Sequence, residues 1–176
     1  MKYYILKQDK DYTDAPVISN WFGRIDTDNI RPGKYKNLKE MYSLTIRDNK
    51  ELYPVDFIME PFPAVSAMVE HCIRVYEPNI GCSRLYLLEK TTGRAEEYFI
   101  PYLTEEDCLA ESSIVNRNRT VIEKPVIDIN KVSRDRYIFL IGNMNSRYVV
   151  VREEFMESIL RRGARGISLI PVELEK

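Results

Sequence analysis

Few side chains in this sequence can do covalent or acid–base chemistry. There is one histidine, His71, and three cysteines, Cys72, Cys82 and Cys108. A nucleophile–base pair needs both groups within hydrogen-bond reach, with a third group orienting the base. His71 and Cys72 are adjacent, and neighbouring side chains on a helix point about 100° apart, so they do not make such a pair. On a helical wheel His71 falls away from the apolar stripe, beside Glu70 and Arg74. An ordinary half-exposed helix histidine is the plainer reading. Gly81-Cys82-Ser83 has a superficial likeness to a cysteine-protease signature but lacks its flanking residues. Cys82 or Cys108 meets His71 only if the fold assembles them, and a small enzyme with such a Cys/His site is kept as an alternative.

Metal and cofactor chemistry finds less support. The cysteine spacings of 10 and 26 residues, with one histidine, give no tetrahedral ligand set. Glu105-Glu106-Asp107 lacks the alternating ligands and the glycine of a calcium loop. The seven glycines are scattered, and none opens a phosphate-cradling helix. Arg161, Arg162 and Arg165 follow a helix end, where cations answer the dipole. The expectation is therefore no metal, no cofactor and no catalysis. An odd number of unpaired cysteines, no signal-peptide core and no apolar run long enough to span a bilayer point to a cytoplasmic protein with no membrane role.

Charge narrows the partners. The 176 residues carry 26 Lys+Arg and 27 Asp+Glu, a formal charge of −1. Residues 1–88 hold 12 bases and 12 acids, and residues 89–176 hold 14 and 15, so neither half hides an excess. A nucleic-acid binder needs a basic surplus to neutralise phosphates, and none is present. Locally, however, residues 95–116 contain six acids and no base, and residues 117–136 contain six bases against three acids. Glu96, Glu97, Glu105, Glu106 and Asp107, interleaved with Tyr98 and Tyr102, suggest an acidic, aromatic face for a basic partner. The blander reading is a solvated hairpin face and loop, paired with the basic segment that follows.

The elements that must position these residues are legible from periodicity. Residues 2–8 alternate as a strand, and residues 9–37 form an irregular segment pinned by Trp21-Phe22. Residues 38–47 and 55–60 read as strands separated by a turn at Asp48-Asn49-Lys50. A helix over about 63–77 carries the stripe Val65, Met68, Val69, Cys72, Ile73 and Tyr76. A hairpin pairs 84–90 with 96–103 around Gly93, residues 104–120 read as loop, and Pro125 marks an edge strand within 121–129. Strands at 137–141 and 148–151 precede a helix over about 152–162 with Val151, Phe155, Met156, Ile159 and Leu160 inward. Gly163 caps that helix and 167–171 is a last strand. The fold class is α+β: one domain over 1–176, a mainly antiparallel sheet with two principal helices packed on it.

Tyr3-Tyr4-Ile5-Leu6, Val55-Asp56-Phe57-Ile58, the helix ending Tyr76-Glu77-Pro78, Tyr98-Phe99-Ile100-Pro101 and Asp107-Cys108-Leu109-Ala110-Glu111-Ser112 follow one another in a suggestive order. So do Ile138-Phe139-Leu140-Ile141, Tyr148-Val149-Val150-Val151 and the ending Gly166-Ile167-Ser168-Leu169-Ile170-Pro171. This order resembles a family of bacterial immunity proteins from polymorphic toxin systems, the eleventh numbered immunity family. The resemblance implies a non-catalytic inhibitor that binds a cognate toxin domain by protein–protein contact, acting as a monomer or homodimer. A general homodimeric interaction module is the other reading.

Overall fold

The computed structural model describes residues 1–48 and 53–176, so the turn expected at 48–50 lies partly outside the described residues. The first half contains β1 (Tyr3–Gln8), β2 (Met41–Thr45), β3 (Phe57–Ile58), β4 (Ala64–Ser66) and α1 (Ala67–Tyr76). Next come β5 (Cys82–Leu88), β6 (Ala95–Pro101), β7 (Glu105–Glu106), β8 (Ile114–Val115), β9 (Ile122–Lys124) and β10 (Val126–Asp128). The chain closes with β11 (Ile138–Ile141), β12 (Val149–Arg152), α2 (Glu153–Arg161), β13 (Ile167–Pro171) and β14 (Glu173–Glu175). The class is α+β as expected. The strands, however, form two five-stranded sheets and two short ribbons rather than one sheet.

One sheet has the order β13-β1-β12-β11-β7, the other β2-β5-β6-β4-β3. Both are mostly antiparallel, with parallel pairing only at β2–β5 and β11–β7. In the first sheet β11 and the Val149–Val151 run of β12 are buried on both faces, which is why they read as unbroken apolar runs. Leu6, Ile138, Leu140, Val149 and Val151 face one core together with Val69, Cys72 and Ile73 of α1 and Phe155, Met156 and Ile159 of α2. Phe57 and Val65 of the second sheet join the same core, so it ties the two sheets together. On the opposite face of the first sheet, Tyr3, Ile5, Phe139, Ile141 and Val150 pack under Cys108, Ile127 and Val172. The outer face of the second sheet, including Leu44, Leu85, Leu87, Tyr98 and Ile100, is covered by Ala15, Ile18, Ile25 and Ile30 of the irregular segment.

Several local expectations are corrected. The first helix starts at Ala67, because Ala64–Ser66 pairs with β3 and β6 before Ser66 caps it. Ser66 Oγ accepts the Val69 N–H and donates to Asp56 Oδ1 at 2.5 Å, a side-chain N-cap anchored in turn by the residue that precedes β3. Val65 is therefore a buried strand residue, not part of the helical stripe. Residues 104–120 are not wholly loop: Glu105–Glu106 joins the first sheet at its edge and Ile114–Val115 pairs with β9. Pro125 separates β9 from β10, and β14, unforeseen from pattern, pairs parallel with β10. Leu160 is exposed on α2. Gly163 has φ +77 and its N–H bonds Leu160 O, the expected left-handed cap. Trp21 packs on the core, but Phe22 is 87% exposed and so pins nothing.

Candidate functional site

The acidic stretch does not fold into one face. Glu96 and Glu97 lie on β6, opposite Leu87 and Tyr86, in the second sheet. Glu105, Glu106 and Asp107 lie on or beside β7, at an edge of the first sheet. The two clusters belong to different sheets because β6 ends at Pro101.

Each residue has its own environment. Glu96 pairs with Arg94 at 3.0 Å, and Glu97 accepts a hydrogen bond from Tyr86. Tyr98 is buried, its hydroxyl donating to Val55 O at 2.8 Å, and burial raises its pKa. Tyr98 is therefore a core residue and cannot contact a partner. The Tyr102 ring stacks on Tyr35 with centroids 4.7 Å apart, and its hydroxyl shares a hydrogen bond with Ser83. Glu106 binds Arg136 Nε at 3.0 Å and accepts from Ser133. Arg136 also reaches Glu77, which accepts the backbone N–H groups of Tyr137 and Ile138. At Glu106 the acidic and basic segments do pair, as the blander reading anticipated.

Glu105 and Asp107 remain exposed. They line a polar cleft of about 650 Å³ with Arg31, Arg119 and Asn145. Arg31, Glu105 and Asn145 also line a neighbouring recess of about 170 Å³. Four stretches of chain meet here: residues 27–32, β7, the Arg119 turn and the β11–β12 turn. The walls are tied by hydrogen bonds. Arg147 donates to Thr27 O at 2.6 Å and to Ile30 O at 3.4 Å, fixing the irregular segment to the first sheet. Asn145 N–H and Nδ2 donate to Arg119 O and Asn118 O, and Arg119 Nε donates to Asn143 O. Arg31 pairs with Asp28. Among the described residues, no ion pair engages Glu105, Asp107 or Arg119.

Compared with known proteins, the chain matches no family model and no curated protein.

The cysteine and histidine candidates have environments of their own. His71 is exposed on α1 while Cys72 is buried against α2, with Ser158 nearby. Cys82 Sγ sits 3.9 Å from Glu70 Oε1, and its pKa is raised by burial and then by that carboxylate. Burial pushes the Cys108 thiol up to about 12. Both shifts favour the neutral thiol, the reverse of what activates a nucleophile. Among the described residues no cluster of His, Cys, Asp and Glu could hold a metal ion, and no helix is long and apolar enough to cross a membrane. Arg31, Arg119 and Asn145 were not singled out from sequence. They are 26 to 114 residues apart along the chain, and no local pattern announces that they converge.

Proposed function

We propose that this protein is a non-catalytic inhibitor of the immunity-protein type, which binds a cognate bacterial toxin domain and occludes it. The observation that carries this reading is the cleft in which Glu105, Asp107 and Arg119 present charges that no described residue pairs. Charges held on a braced backbone and left unanswered are what a partner of complementary potential uses for orientation and rapid encounter. The exposed Phe22 lies six residues before Asp28, at most about 20 Å of chain away. It sits on a turn fixed by Trp21 O, which accepts from Arg24 N–H and Ile25 N–H. An exposed aromatic on a hydrogen-bonded turn is of the residue class that anchors tight interfaces. The resemblance described above supplies the kind of partner.

The test is co-expression with the toxin domain encoded by the neighbouring upstream gene. Wild type should copurify with that domain and restore growth. The double reversal E105K/D107K should weaken binding at least tenfold while leaving Tm unchanged. A toxin domain that ignores the wild-type chain defeats the reading, and equal affinity for the double variant defeats the placement at the cleft.

A homodimeric interaction module is the second reading, favoured by β13. Among the described residues it is the last strand of its sheet, paired only on its inner side, with β1. Val172 N–H donates to Tyr3 O, so by alternation Ile167 and Leu169 turn their N–H and C=O groups outward. Mass measurement in solution distinguishes a monomer from a dimer built on that edge.

A further inference from the structure

A cavity of about 540 Å³ opens where β1 and β12 part. Its origin is in the register. Tyr4 pairs with Val151 and Leu6 with Val149, and Glu153 N–H donates to Lys2 O, so even-numbered residues of β1 direct their backbone groups toward β12. The described pairing stops at Leu6–Val149, although β1 runs on to Gln8. Continuing the register would set Gln8 opposite Arg147, but the strands have separated there. Among the described residues, the Gln8 N–H meets no acceptor. Its side chain is held elsewhere, Oε1 accepting the Met59 N–H at 3.3 Å.

The walls divide by chemistry. Met59 and Tyr148 supply apolar surface, while Lys7, Lys10 and Arg147 supply cations. Asp9 and Glu60 also line the cavity, and Asp9 Oδ1 is already occupied by the Asp11 N–H. Arg147 gives two donors to the Thr27 and Ile30 carbonyls, and no described carboxylate pairs with it. Its pKa is lowered by burial and then by Arg31, with Tyr35, Glu60 and Asp28 opposing. A half-buried guanidinium, two lysines and an open N–H form a set of donors for an anion. The volume falls within the range of small-molecule sites.

We infer that this crevice binds a small ligand bearing a phosphate or carboxylate, with the anion against Arg147 and the Gln8 N–H and an apolar body along Met59 and Tyr148. The crevice shares Arg147 with the recess beside the cleft of the proposed toxin interface, but its ligand chemistry does not depend on that reading.

Phenyl phosphate and benzoate are the probes, with inorganic phosphate and phenol as controls, all at constant ionic strength. Either probe should raise Tm saturably, by about 3 °C near tenfold excess over its Kd. Inorganic phosphate should act more weakly and phenol not at all. Phenyl phosphate stronger than benzoate identifies a phosphate site, and the reverse order a carboxylate site. Lys7 and Lys10 are exposed, so K7E/K10E should fold with unchanged Tm and lose the shift. No saturable shift with either probe, or an equal shift in K7E/K10E, overturns the inference.

Discussion

Replacing Glu77 tests how the helical layer is locked to the first sheet. Glu77 follows α1, is buried, and its Oε1 accepts the N–H groups of Tyr137 and Ile138 at 2.7 and 2.8 Å. Its Oε2 meets Arg136 at 3.2 Å, and Arg136 continues to Glu106 of β7. In E77A two backbone donors at the start of β11 lose their acceptor, each costing about 1–3 kcal/mol where water cannot replace it. Arg136 is about one-third exposed and keeps Glu106, so the lost ion pair adds less than about 1 kcal/mol. The expected loss is about 3–5 kcal/mol. At roughly 2–4 °C per kcal/mol for a chain of this length, Tm should fall by roughly 10–15 °C. E77Q retains one carbonyl oxygen for the two donors and should lose about half as much. Urea unfolding followed by far-UV circular dichroism measures both, with unchanged m confirming a native-state effect. A loss below about 1 kcal/mol in E77A would refute the assignment of Glu77 as the lock.

Two further outcomes follow from the packing. Gly166 has φ +67, and a Cβ there would collide with the Val55 side chain. G166A should therefore cost about 2–4 kcal/mol in urea unfolding. Little change in G166A would mean that the Val55 contact yields easily. Cys108 is fully buried, and its thiol holds its proton to about pH 12 when folded, whereas an unfolded cysteine loses it near about 8.5. Its contribution to stability is complete below the unfolded value and drains away as pH rises toward the folded one. Native Cys108 should resist a thiol reagent at pH 8, and C108A should show a shallower loss of stability than wild type between pH 9 and 11. Rapid labelling of native Cys108 would count against both.

Much of the chain was readable because its local patterns are strong. The α2 bounds, the Gly163 cap, the β5–β6 hairpin and the unbroken apolar strands Ile138–Ile141 and Val149–Val151 all follow from side-chain period and backbone conformation. Short elements were not. Glu105–Glu106 is a strand only because β11 offers it a parallel edge, and Ala64–Ser66 is extended only because β3 and β6 flank it. Elements of two or three residues carry no periodicity of their own.

The candidate site divides in the same way. Sequence by itself determined that acids concentrate over 95–116 and bases over 117–136, and that the sole histidine adjoins a cysteine facing another way. It also determined the α+β class, since apolar period reports which face of each element is buried. Tertiary structure decided which charges are used up. Glu106 is answered by Arg136 across 30 residues, Tyr98 is committed to the core, and Glu105 and Asp107 share a cleft with Arg31 and Arg119 without pairing. Charge along a chain is additive. Charge available to a partner depends on which side chains meet through space, and those contacts are set by sheet order and register.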